Sequence, residues 1–155
     1  MKKLILLLVA VACTVAATAQ VAFGGSQASD RQMEYSQKFA DVDYVGDGQG
    51  YHTLDIYLPK VKKDTYPVVI HIYGSAWFNN NGKGAADLNT ICAALLDAGY
   101  AVVTPNHRAS TDALYPAQIH DIKAVIRFVR GEAEKYHFDT SFIATSGFSS
   151  GGHLA

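Results

Sequence analysis

Apolar residues recur along this chain with two alternating periods, one near 2 and one near 3.6, and the alternation predicts strand, helix, strand, helix, strand. Residues 53–58 place Leu54, Ile56 and Leu58 on one face of a strand that Pro59 stops. Residues 67–73 (Pro-Val-Val-Ile-His-Ile-Tyr) form an almost unbroken β-branched and aromatic run, as a strand buried on both faces requires. Leu88, Ile91, Cys92, Leu95 and Leu96 then fall at helical spacing, and Gly99 suits the end of that helix. Residues 100–104 predict a short strand closed by Pro105. Ile119, Ile122, Val125, Ile126 and Val129 repeat the helical spacing, with Pro116 placed for the first turn and Gly131 near the end. Residues 142–145 predict one more buried strand. The fold class expected is α/β: a mostly parallel sheet with helices on both faces. Ligands in such sheets lie beyond the carboxyl ends of the strands, where the loops 74–84 and 146–152 fall.

The N-terminus follows a different pattern. Lys2 and Lys3 precede an apolar run over residues 4–12, and Ala17-Thr18-Ala19 supplies the small-x-small pattern of a signal-peptidase site. The run is too short to span a bilayer comfortably. The expected organisation is a signal peptide at 1–19 cut after Ala19, a linker at 20–34, and an α/β domain from 35 to 155, with export to the periplasm or medium. No membrane association is expected of the mature chain. Cys92 would then be the one cysteine left, a core thiol rather than half of an internal disulfide.

At 155 residues, 49% hydrophobic and 17% charged, the chain suits one packed domain rather than two domains or a disordered segment. A net charge of −1 without a basic stripe argues against a nucleic-acid partner. No histidine pair has metal-ligand spacing, and Gly82-Lys83 lacks the glycine and the hydroxyl residue that a phosphate loop needs. Gly46-x-Gly48-x-Gly50 precedes no helix and reads as a turn.

The chemistry concentrates at Gly147-Phe148-Ser149-Ser150-Gly151, which fits G-x-S-x-G between a β-rich run and a helix start. A serine on so sharp a turn needs glycine two positions before and after it, because the backbone there is crowded. A plain Gly/Ser turn is the competing reading. Tyr73-Gly74-Ser75-Ala76-Trp77 follows the central strand, where small residues let main-chain N–H groups face a developing oxyanion. Taken alone it reads as a flexible loop; beside the serine turn it reads as half of an oxyanion hole. Trp77 and Phe78 are candidates to line a pocket. The histidines 52, 71, 107, 120, 137 and 153 read as structural, and His153, four residues past Ser149, should turn its ring away from Ser149 Oγ. Arg108 and Asp121 are either a buried polar network or solvated charges.

From residue 51 to 155 the chain resembles the N-terminal half of bacterial α/β-hydrolases, in the hormone-sensitive-lipase-like and feruloyl- or acetyl-xylan-esterase-like groups. Those proteins carry a motif resembling H-G-G-A-W after the third strand and G-x-S-A-G-G-H-L-A at the elbow. Residues 73–77 and 147–155 stand at those places, and residues 54–59 and 116–121 resemble further segments in the same order. The resemblance implies a serine esterase without cofactor or metal, acting on a short-acyl or carbohydrate-linked ester. Ser149 would be its nucleophile, and the N–H groups of Gly74, Ser75 and Ser150 its oxyanion hole. Tyr73 and Ser75 stand where His and Gly are usual, which puts the approach of the oxyanion loop in question. Ser150 replaces Ala at a position that contributes its backbone. A non-catalytic binding protein that retains the turn, and an exopeptidase-type serine hydrolase, are the alternatives.

In this fold the acid and the histidine of the triad follow the nucleophile. The sequence ends at Ala155, so it is expected to be an incomplete fragment, inactive by itself, with the edge of a central strand open. Expressed alone, the 155-residue chain is expected to aggregate or stay partly folded. A cooperative thermal transition of the isolated chain, followed by circular dichroism, contradicts that.

Overall fold

The computed structural model describes residues 32–85 and 87–155. The expected signal peptide, and the linker up to residue 31, lie outside the described residues. Five strands form one sheet: β1 (Gln37–Asp43), β2 (Thr53–Leu58), β3 (Tyr66–Ile72), β4 (Ala101–Pro105) and β5 (Phe138–Gly147), in the order β1-β2-β4-β3-β5. β3 runs parallel to both β4 and β5, while β2 runs antiparallel to β1 and β4. The sheet is therefore mixed, and its parallel half carries the serine turn. Parallel neighbours need a long crossover, and the short link between β1 and β2 permits only an antiparallel return.

Helices cover both faces. A π-helical turn, Leu88–Cys92, continues as α1 (Ala93–Asp97); α2 (Ala117–Gly131), α3 (Ala133–Tyr136) and α4 (Ser150–Leu154) follow. Alternate residues of a strand point to opposite faces, so β2 and β4 feed two cores. Leu54, Ile56, Val68, Ile70, Ile72 and Val103 meet Ile122, Val125 and Val129 of α2 and Leu154 of α4 on one side. Tyr57 and Val102 meet Cys92 and Leu96 on the other. Cys92 lies within this second core, where burial pushes its thiol up to about 12, so it carries no reactive thiolate near neutral pH.

Two elements carry little sequence signal. β1 is exposed over most of its length and breaks register between Phe39 and Val42, so no alternation announces it. α3 spans only one turn. β5 begins four residues earlier than its apolar run and forms an edge of the described sheet, with Phe142 46% exposed. Among the described residues no helix is long and apolar enough to cross a membrane.

Ile70, at the centre of β3, is fully buried, whereas Val45 is 48% exposed. Ile70→Ala is expected to lower stability by about 2–5 kcal/mol through lost burial and the cavity left behind. Val45→Ala should stay within about 0.5 kcal/mol of the parent. The midpoints of urea denaturation check both.

Candidate active site

β5 delivers the chain to a turn that no ordinary residue sequence could make. Ser149 has φ 53 and ψ −121, a sparsely populated region for a residue with a side chain, at a cost on the order of 1–3 kcal/mol. What holds it there is the absence of side chains around it. A Cβ on Gly147 would run into the carbonyl group of Gly151, and one on Gly151 would run into the Ile72 carbonyl oxygen. A Cβ on Gly74 would meet Phe148 O at 2.6 Å and Ser149 Cβ at 2.9 Å. The glycines at 74, 147 and 151 thus let the turn press against the end of β3. Phe148 N–H donates to Ile72 O at 3.3 Å and Gly151 N–H to Phe148 O at 2.8 Å, closing the turn. Ser149 itself is exposed at the carboxyl end of the sheet.

Around Ser149 the structure gathers the residues singled out from sequence, though unequally. Gly74 and Ser150 bring their main-chain N–H groups to the turn, and neither has an acceptor among the described residues. Ser75 N–H donates to Ser150 Oγ at 2.9 Å. Trp77 meets the ring of His153 edge-on, with centroids 5.5 Å apart. Both line a cavity of about 290 Å³ with Ser110, Tyr115, Gln118 and Leu154. Phe78 is 72% exposed and is not part of that lining. No histidine hydrogen-bonds Ser149 Oγ among the described residues; the ring of His153 is turned to Trp77 instead.

Tyr73 occupies the place where the resembling motif has histidine, and its ring closes the loop from inside. Its hydroxyl donates to Asn79 O at 2.8 Å, and a Cβ on Gly82 would strike the ring. The ring stacks on His107 at 4.8 Å, with an interplanar angle of 11°. Burial pushes the Tyr73 phenol up to about 12 and the His107 imidazole down, so both are neutral near pH 7. Arg108 clamps Asp121, its Nε donating at 3.0 and 3.1 Å, and Asp121 is buried, so these two form a polar network and not solvated charges. That network ties the loop after β4 to α2. His71 is also buried, with Nδ1 at 2.8 Å from Ser146 Oγ and Nε2 at 3.2 Å from Asp87.

A second anchor centres on Asp55, within the segment 54–59. Asp55, in the middle of β2 and 2% exposed, receives Lys83 Nζ at 2.6 Å and Lys38 Nζ at 2.8 Å. Asp41 N–H and Tyr57 O–H also donate to it. Lys83 is buried too and reaches Asp41 at 2.8 Å, while its N–H donates to Asn106 Oδ1 at 3.1 Å. The loop that starts at Gly74 is therefore stapled to β1, β2 and β4 through one lysine. Burial opposes the charge on Asp55, but hydrogen bonds from Lys38, Lys83 and Asp41 N–H outweigh it and hold the carboxyl below its usual range. In the sequence Asp55 is an acidic residue on the second face of a strand whose first face is apolar, within a segment singled out by resemblance and given no role there.

Among the described residues no group of His, Cys, Asp or Glu could hold a metal ion.

Comparison with known proteins follows the same geometry. Residues 54–155 match the BD-FAE family model. A solved structure described as a truncated form of a carbohydrate esterase from gut microbiota is 54% identical, covering 77% of this chain and 42% of that one, with a TM-score of 0.74. A bifunctional GH43-CE of Bacteroides eggerthii is 56% identical, covering 76% of this chain and 16% of that one, with a TM-score of 0.73. The probable carboxylic ester hydrolase LipM of Mycobacterium tuberculosis (strain ATCC 25618 / H37Rv) is 34% identical over 117 residues. That alignment takes in 74% of this chain and 26% of LipM, so the chain spans about a quarter of that relative's length.

Removing Lys83 leaves Asp55 buried beside Lys38 alone, and Lys83→Met is expected to cost about 3–5 kcal/mol in urea denaturation. The depressed Asp55 carboxyl stabilises the fold fully above its unfolded value of about 4, and that stability is lost as pH falls through the lower folded value. Asp55→Asn should flatten this acid-side loss.

Proposed function

The chain belongs to the BD-FAE family, a hormone-sensitive-lipase-like group of α/β-hydrolases, and from that we propose that its protein is a serine hydrolase of carboxylic esters. The observation that carries the reading is the strained Ser149 between Gly147 and Gly151, beside two main-chain N–H groups, of Gly74 and Ser150, without an acceptor among the described residues. Ser149 Oγ attacks the acyl carbon, and a base takes its proton. The carbonyl oxygen becomes an oxyanion within reach of Gly74 N–H and Ser150 N–H. Collapse of the tetrahedral intermediate expels the alcohol, which takes a proton, and leaves the acyl group on Ser149. Water then repeats the sequence and frees the acid. No described histidine meets Ser149 Oγ, and the chain spans about a quarter of LipM's length, so the base is assigned to a histidine outside the described residues.

The substrate assigned is a short-acyl ester carried on a carbohydrate. The 290 Å³ cavity beside Trp77 has room for a short acyl chain, and the similarity to carbohydrate esterases supports a sugar as the alcohol. Export through the segment 1–19, with its two lysines, apolar run and Ala17-Thr18-Ala19, would bring the protein to such esters outside the cytoplasm. No cofactor enters the scheme.

The test uses the protein as its gene encodes it, assayed with p-nitrophenyl acetate and an acetylated xylo-oligosaccharide. Ser149→Ala is expected to lower kcat by at least about 10⁴-fold on both. Equal turnover by parent and variant would refute the assignment. Activity on p-nitrophenyl acetate alone would remove the carbohydrate part.

A further inference from the structure

Ser150 was expected to serve through its backbone only, yet its side chain is where this chain departs from the pattern it resembles. The resembling motifs carry Ala at this place and Gly at the place of Ser75, so they have no hydroxyl between elbow and loop. Here Ser150 is 3% exposed, and its Oγ takes the Ser75 N–H at 2.9 Å. An amide has one proton and spends it along one line. Ser75 N–H, committed to Ser150, is not at the same time aimed at an oxyanion. Gly74 N–H and Ser150 N–H are the donors left over.

The stretch that this bond holds needs holding. Ala76 and Trp77, the next two residues, have φ of 49 and 62, left-handed values that side chains disfavour. Such a conformation persists only where its surroundings fix it. On the far side, Ser110 N–H donates to Trp77 O at 2.8 Å, and Phe78 N–H donates back to Ser75 O at 3.0 Å. On the near side the bond to Ser150 adds a hydrogen-bonded tie to the ring contact of Trp77 with His153.

We propose that the Ser150 hydroxyl is a positioning group, which pins the oxyanion loop to the elbow by accepting the Ser75 N–H. The hole is thereby a two-donor hole, built from Gly74 N–H and Ser150 N–H, with Ser75 N–H as its strut. Ser75 is half-buried, and without the hydroxyl its N–H has no fixed acceptor to hold the strained residues that follow it. The proposal rests on the reading of Ser149 as nucleophile for its kinetic consequence, but not for its structural one.

The experiment compares parent, Ser150→Ala and Ser150→Thr in the protein as its gene encodes it. It follows amide hydrogen exchange by NMR together with kcat and KM on p-nitrophenyl acetate. Ser150→Ala should speed exchange at Ser75 at least tenfold while Val69, Ile70, Val102 and Val103 keep the parent's protection. It should also lower kcat ten- to a hundredfold with KM within twofold. Ser150→Thr, which keeps the hydroxyl, should restore both Ser75 protection and kcat to within a few-fold. Parent-like exchange at Ser75 in the alanine variant overturns the proposal, as does faster exchange throughout the sheet, which would assign the hydroxyl to overall stability. A kcat equal to or above the parent's also overturns it, because a freed Ser75 N–H would then be serving the oxyanion itself. A parent that hydrolyses no ester, yet shows a Ser75 amide protected only while the hydroxyl is present, sinks the esterase reading and leaves the pin standing.

Discussion

The site depends on how closely two pieces of backbone can approach. The elbow after β5 lies directly on the end of β3 at positions 74 and 151, while Gly147 lets the elbow fold back on its own helix, and none of the three has room for a Cβ. Shape at this point is set by hard-core exclusion rather than by attraction, so it tolerates no partial relaxation. The reward is a serine held with φ 53 and ψ −121, its Oγ standing clear of the sheet. Strain at Ser149 is sustained because the buried β3, with Val68, Ile70 and Ile72 sealed beneath α2, gives the turn a rigid floor. Core packing and the geometry of the elbow are thus one mechanical system.

Polar interactions then decide where the facing loop sits. It is fixed from within by the Tyr73 ring, at its start by Ser150 Oγ, and further along by Lys83 on Asp55. Tyr73 bonds within the loop itself, whereas the other two anchors draw their partners from the elbow helix and from β2. Such groups stabilise little in net terms, but an unpaired one is expensive, so they select one loop conformation over its neighbours. An oxyanion hole made of main-chain donors needs that selection, since donors a fraction of an ångström out of line lose much of their effect.

Much of this was legible in the sequence, and the division is physical. β2, β3, β4 and α2 announce themselves because burial imposes a period on apolar residues, and the G-x-S-x-G turn because sterics impose glycine at fixed offsets. β1 does not, because an exposed, bulged edge strand has no buried face to pattern. The Asp55–Lys83 pair joins residues that lie 28 positions apart, and no local rule relates them. The side-chain bonds of Tyr73 and Ser150 are illegible in the sequence for a related reason. Sequence reasoning treated them as replacements in a motif, whereas each makes a side-chain bond that the motif's usual residue does not describe. Phe78, grouped with Trp77 as a pocket residue by its neighbourhood, is exposed and outside the cavity that Trp77 lines, a difference that adjacency in sequence does not reveal.

The central claim is that Ser149 is a covalent nucleophile whose oxyanion is received by Gly74 and Ser150. The direct measurement is to treat the gene-encoded protein with a p-nitrophenyl phosphonate and map the adduct by peptide mass spectrometry. A single phosphonyl group on Ser149, appearing in step with the loss of esterase activity, is the result this account predicts. Loss of activity with the label on another residue, or with Ser149 unmodified, would contradict it.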